Sequence, residues 1–190
     1  SVDTTLNDNL EITAGLRTEN SDIEVITQTF FGGSNSAISS DELDKLLPAL
    51  TATYSFNESM QFRFGFSETL SRPQFREMSP VLFVNFDTDR LERGFLGLKS
   101  SEITNIDLRY EWYFGFNEFL TLSYFNKEFI NPIEQVLEAA ATSDYVSYRN
   151  AQSAELDGME FEIQKQLGEL ITGYDFYVKF NYTFTDSNAV

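Results

Sequence analysis

Four arginines, Arg72, Arg76, Arg90 and Arg93, fall in one unpatterned stretch, residues 71–102. A guanidinium presents a planar fork of N–H donors that grips carboxylate or phosphate in a bidentate way. These four are therefore candidates to meet an anionic ligand, with Asp87 and Asp89 as candidate polar contacts among them. A plainer reading is favoured, in which they pair with the nearby Glu77, Asp87, Asp89 and Glu92. Asp87-Thr88-Asp89 has the spacing of calcium ligands but lacks the glycine and the distal bidentate glutamate of an EF-hand loop, so no metal site is assigned. Glu160 and Glu162 form a carboxylate pair of the kind that hydrolyses glycosides. They stand, however, on the polar side of an alternating run with no cleft implied, and no catalytic residue is assigned. The chain has no His and no Cys, which removes Ser-His and Cys-His nucleophiles, Cys/His zinc sites and disulfides. No cofactor is expected.

The elements that carry these residues are written in strict alternation. From Tyr174 to Phe184, the residues Tyr174, Phe176, Val178, Phe180, Tyr182 and Phe184 point one way, and Asp175, Tyr177, Lys179, Asn181 and Thr183 the other. That is a strand about ten residues long with one aromatic face, long enough to cross a bilayer when tilted. About seven such strands are expected, over 10–27, 47–56, 60–70, 103–114, 118–129, 154–167 and 174–185. Short connections (57–59, 115–117 and a turn within 168–173) alternate with long ones (28–46, 71–102 and 130–153). Folding at the short turns sets Tyr54 and Ala52 opposite Phe62 and Phe64. It sets Trp112 and Tyr110 near Leu122 and Tyr124, and Ile163, Phe161 and Met159 against Phe176, Val178 and Phe180. The other face then carries Arg63, Asp107, Arg109, Glu111, Glu160, Glu162 and Lys179. Tyr54, Phe56, Trp112, Phe114, Phe116, Phe119 and Tyr174 gather near the short turns, as in an interfacial aromatic girdle.

Two stretches carry helix signals. Asn131-Pro132-Ile133-Glu134 reads as N-cap, N1 proline and N3 glutamate, followed by Val136, Leu137 and Ala140 at helical spacing. Residues 41–47 carry a second short-helix pattern, stopped by Pro48, and both 41–47 and 131–141 stay open as strand or short helix.

Composition sets further limits. A net charge of −17 excludes nucleic acid as a partner, which would need a basic patch. Nineteen Phe and nine Tyr are too many for an acidic disordered segment. No apolar run approaches eighteen residues, so no transmembrane helix is expected, and no leader peptide is expected at the start. An alternative remains open on pattern alone: a soluble acidic β-sandwich that binds a glycan or protein through its loops, because antiparallel sheets commonly have one wet face.

An ordered set of motifs narrows the choice. Leu46-Leu47-Pro48-Ala49-Leu50 precedes a strand. Phe66-Ser67-Glu68-Thr69-Leu70-Ser71-Arg72-Pro73-Gln74-Phe75-Arg76-Glu77-Met78-Ser79-Pro80 ends the next. Asn105-Ile106-Asp107-Leu108-Arg109-Tyr110-Glu111-Trp112-Tyr113, Asn131-Pro132-Ile133-Glu134, Asn150-Ala151 and Glu155-Leu156-Asp157-Gly158-Met159-Glu160 follow. In this order, over about 46–166, they resemble the barrel of TonB-dependent outer-membrane receptors. Where family members often carry Gly-Asn-Pro-x-Leu, this chain has Gly94-Phe95-Leu96-Gly97-Leu98-Lys99, and Asp157 stands where an aromatic is common. The resemblance implies an all-β, antiparallel up-and-down meander that forms part of a large transmembrane β-barrel of about twenty-two strands. Residues 1–190 are then expected to be an internal part of the barrel domain, without plug domain or closing strand. The implied role is uptake of a scarce substrate (siderophore, corrinoid, glycan or peptide) across a Gram-negative outer membrane. Its implied partners are the plug, the TonB complex and membrane lipid.

Overall fold

The computed structural model describes residues 2–28, 36–139, 144–171 and 174–190. Eight strands form one antiparallel meander: β1 (Val2–Asn7), β2 (Leu10–Gln28), β3 (Ser36–Asn57), β4 (Met60–Ser71), β7 (Ser101–Gly115), β8 (Glu118–Ile130), β11 (Ser153–Ile171) and β12 (Tyr174–Ala189). Between β4 and β7 lie the single-turn helix α1 (Phe75–Met78), β5 (Leu82–Asn85) and β6 (Arg90–Arg93). Between β8 and β11 lie β9 (Ile133–Glu138) and β10 (Tyr145–Asn150). The last four strands form a second sheet in the order β5-β6-β10-β9.

The faces of the main sheet follow from its register. Tyr54, Phe62, Tyr110, Leu122, Phe161 and Tyr182 form one cross-strand row, and Ala52, Phe64, Leu108, Tyr124, Met159 and Phe184 the next. Between these rows, on the opposite face, stand Thr53, Arg63, Arg109, Ser123, Glu160 and Thr183. The two sides are packed very differently. Leu122 is 47% and Met159 62% exposed, whereas Glu111 is 3% and Thr121 5%. Crowding on the polar side and openness on the apolar side mean that the sheet curls with its polar face inward, as a barrel stave does.

The apolar band of the outer face ends at a different row on successive strands. On β4 it runs through Phe62, Phe64 and Phe66 to Glu68. On β11 it runs through Phe161 and Met159 to Asp157, one row nearer the short turns. A level band crossing the register rows diagonally is what tilted strands produce.

The expected meander of about seven strands is present, and Val2–Asn7 adds one more by pairing with β2 through the tight turn at Asp8–Asn9. Other expectations are corrected. Of the expected long loop 28–46, the described residues 36–46 are strand: β2 and β3 pair from Leu10↔Tyr54 to Gln28↔Ser36, so 41–47 is strand, and 29–35 lie outside the described residues. Three closely spaced leucines (Leu43, Leu46, Leu47) imitate a helical stripe there, but continuous pairing with β2 satisfies the backbone and decides the conformation. Residues 133–138 are likewise strand, paired with β10, and Asn131 has φ 53°, a left-handed turn rather than an N-cap; Ala140, the end of that helical pattern, lies outside the described residues. Finally, the β11–β12 register is Ile163↔Phe180, Phe161↔Tyr182 and Met159↔Phe184, four residues beyond the expected pairing. Gly168, at φ 70°, adjoins a register shift inside the ladder instead of making the turn. A smaller shift of the same kind sets Trp112 opposite Leu120 and Tyr110 opposite Leu122. Both shifts are even, so the face assignments hold.

The dry core lies away from the middle of the sheet. Leu43 and Leu47 on β3 turn inward, and Met78, Leu98, Val146 and Tyr148 are the other buried apolar side chains. Met78, Leu98 and Tyr148 pack together against Ile23, Val25 and Ile133. The second sheet therefore sits as a lid on the inner face, at the edge with the long connections. Among the described residues, nothing covers the apolar outer face. That arrangement overturns the sandwich alternative, in which two sheets would bury their apolar faces against each other.

Candidate functional site

The lid is held to the wall by polar bonds at a few positions. Asp41, 2% exposed on β3, accepts from the Ser100 amide at 3.1 Å and the Ser100 hydroxyl at 2.5 Å. The Gly97 amide donates to Ser39 Oγ at 3.2 Å. Asn150 pairs with Lys99 in both directions, accepting its amide at 2.8 Å and donating to its carbonyl at 2.9 Å, and donates to Asn131 O at 2.7 Å. Inside the lid, Glu92 is buried and accepts from Tyr148 at 3.0 Å and from Asn85 Nδ2 at 2.6 Å. Burial, and then the bond to Glu92, push the Tyr148 phenol up to about 12.

The other face of the lid carries a cleft of about 240 Å³, bounded by Pro80, Arg93, Phe95, Glu138, Tyr145 and Arg149 among others. Strand alternation places these side chains together: Tyr145 lies opposite Glu138, and Arg149 two positions further along the same side of β10. Arg149 donates to Glu138 Oε1 through Nη2 at 2.7 Å and Nε at 3.3 Å, and its guanidinium lies 5.1 Å from the Phe95 ring centroid. Tyr145 donates to Glu138 Oε2 at 2.6 Å. Arg93 lies 6.0 Å from the Tyr145 ring and donates through Nε to Pro80 O at 3.0 Å. The bonds from Tyr145 and Arg149 hold the Glu138 carboxyl below the usual carboxylate range. Two cations, one carboxylate and two aromatic rings around one cleft suit a ligand that is planar, anionic or both.

The candidates 72–93 do not all converge. Arg93 enters the cleft. Arg76 lies 4.3 Å over the Phe83 ring, and Arg72 pairs with Glu19 on β2. Asp87 and Asp89 sit at the exposed tip of the β5–β6 hairpin and Arg90 at the start of β6; the Asp87 amide donates to Asn85 Oδ1 at 2.9 Å, and Asp89 takes φ 53°. Phe95, Glu138, Tyr145 and Arg149 were not singled out from sequence. The signal for Tyr145, Ser147 and Arg149 is their alternation in 145–150, readable only once that stretch is taken as a strand.

The wall residues do share the inner face. Glu111 is enclosed by Arg109 Nε at 2.6 Å, Arg63 Nη2 at 3.6 Å and a hydrogen bond from Gln61. Lys179 Nζ lies 2.8 Å from Glu162 Oε1. Asp107 is paired in register with Gly65, and Glu160 with Ser123 and Thr183. Gly158 is explained by close approach: a Cβ there would lie 2.5 Å from the Phe125 ring and 2.6 Å from Phe184 O.

A family model described as TonB dependent receptor-like, beta-barrel, matches residues 2–190. Among solved structures, the chain is similar to the siderophore receptor PirA from Pseudomonas aeruginosa (TM-score 0.67, 16% identity, 98% of this chain and 33% of that one). It is similar to the hemophore receptor HasR of Serratia marcescens, solved with the hemophore HasA and heme (0.63, 13%, 94% and 32%). A third is the ferric enterobactin receptor PfeA, in complex with BCV-L6 (0.61, 18%, 95% and 25%). The chain thus spans a third or less of the length of each. No curated protein sequence matches it.

Proposed function

The chain belongs to the TonB-dependent receptor-like β-barrel family, and from that premise we propose that it supplies wall and outer vestibule to an active-transport receptor. The receptor would lie in the outer membrane of a Gram-negative bacterium, bind a scarce extracellular substrate and import it with TonB-derived energy, with a plug domain closing the lumen. The observation that carries this reading is the placement of the lid. The second sheet packs on the polar inner face, at the long-connection edge, while the apolar outer face is exposed among the described residues, as a lipid-facing wall would be. The role is transport rather than catalysis.

In this reading the lid cleft, with Arg93, Phe95, Tyr145 and Arg149, is the substrate-facing surface of this segment. Asp87 and Asp89 carry the tip of the β5–β6 hairpin beside it and Arg90 the start of β6, whereas Arg76 over Phe83 and Arg72 paired with Glu19 lie outside the cleft. Siderophore, corrinoid, glycan and peptide all remain candidate substrates. The test is uptake of labelled candidates by cells that carry the full receptor with Arg93→Ala and Arg149→Ala together. Loss of uptake with unchanged heat-modifiable gel mobility is expected. Full uptake by the double variant would exclude the cleft from recognition.

A further inference from the structure

We propose that Arg17 and Arg72 form an oxyanion-binding site on the inner face of the wall, at the seam where β3 and β4 part. The proposal rests on the polar face being the water-filled side of the barrel. Glu19 on β2 offers one carboxylate oxygen to each arginine: Arg17 Nη2 lies 2.5 Å from Oε1, and Arg72 Nη2 contacts Oε2. Two guanidiniums sharing one carboxylate leave a surplus positive charge and several unused N–H donors. Exposure decides which way that surplus faces. The Glu19 side chain is 13% exposed, Arg17 73% and Arg72 39%, so the carboxylate lies behind and the cations in front. Lys45, opposite Glu19 in the ladder, is drawn away to Glu102 at 2.7 Å. Glu68 borders the recess, but alternation sends its side chain to the face of Phe64 and Phe66.

The seam has a cause in the chain. Pairing of β3 with β4 ends at Ala49↔Ser67, directly after Pro48, which has no N–H to donate. Beyond that point β3 follows β2, and β4 follows β7. A recess opens between the diverging strands, lined by Leu47, Ala49, Ser67 and Thr69 as well as the two arginines. Thr69 Oγ1 accepts from Asn105 Nδ2 at 3.1 Å, which leaves its own O–H free to donate into the recess. Guanidinium groups with a hydroxyl beside them are the donors that a carboxylate or phosphate group needs. The other reading of this triad is a strap that ties β2 to the end of β4.

Calorimetric titration of the full-length receptor with inorganic pyrophosphate separates the two. Arg17→Gln and Arg72→Gln are each expected to weaken binding about tenfold or more, the loss of one charge-assisted bond. Glu19→Gln is expected to tighten binding, because it removes the carboxylate that competes with the ligand. Arg17 is largely exposed, so its variant keeps the fold, as heat-modifiable mobility would verify. Unchanged affinity in both arginine variants, or no gain in Glu19→Gln, overturns the proposal and leaves the strap. The titration uses no transported substrate, so it can fail while the uptake assay succeeds, and the reverse.

Discussion

Tyr148 is the residue at which the lid's stability becomes a titration. Its phenol, pushed up to about 12, keeps its proton in the folded lid when an unfolded chain has lost its own near pH 10. Between those values the unfolded state binds fewer protons, so stability falls as pH rises through the window; below pH 10 both states are protonated and this group adds no pH dependence. Protection factors of amides in 133–138 and 145–150 are therefore expected to drop from about pH 10 toward 12 in the full receptor. Tyr148→Phe should abolish that drop and, at neutral pH, cost about 1–3 kcal/mol, because buried Glu92 loses a donor. A Tyr148→Phe lid with the same alkaline profile as the native one would assign the transition elsewhere. Glu138 titrates in the opposite sense. Held below the usual carboxylate range, it keeps its pairing with Arg149 under mild acid and loses it as pH falls through its lowered value.

At the scale of elements, the lid behaves as one packed unit hung on the wall, and Gly94 is its tightest point. A Cβ there would lie 2.3 Å from Ser79 O and 2.5 Å from Arg76 O and Glu77 O, all backbone atoms at the end of α1. Gly94→Ala is expected to cost about 1–3 kcal/mol or more through overpacking and to loosen the lid alone. Limited proteolysis should then cut within 80–97 while the barrel keeps its heat-modifiable mobility; an unaltered digestion pattern would refute the packing argument. The hairpin tip is a separate case. Shortening 86–89 spares buried Glu92, so it should alter substrate binding without unseating the lid. These elements were the least legible in the sequence. Residues 41–47 and 131–138 carry leucine spacings and a proline that suit a helix, and only pairing with β2 and β10 makes strands of 41–47 and 133–138. Local propensity was overridden by partners distant in sequence or not yet identified as strands.

At the scale of the whole molecule, the proposed function has the wall separate lipid from water within one residue. Met159 and Glu160 are neighbours in the chain and face opposite ways. In the full receptor in vesicles, a cysteine at Met159 is expected to resist a water-soluble maleimide, and one at Glu160 to react with it. Equal labelling of both would place the outer face in water and end the membrane reading. A charge on the outer face at mid-band, such as Leu122→Arg, should cost about 2–4 kcal/mol of folding stability in lipid, read from urea unfolding in vesicles.

Alternation of residue types was enough to determine most of the wall strands, their two faces and the short turns between them, because a period of two is a local property that survives even register errors of four residues. The ordered motifs were enough to suggest the family. That Arg63, Arg109 and Glu111 share one face also followed, since Arg63 lies opposite Arg109 in the ladder and Glu111 stands two residues along the same strand as Arg109. The tertiary structure alone decided what the long connections do. Whether 133–138 pairs with 145–150, whether Arg72 reaches Glu19 or a nearer acid, and whether Arg149 joins Arg93 around one cleft all depend on contacts across 7 to 56 positions of chain. Such contacts leave no period in the sequence, because each is set by where two whole elements come to rest.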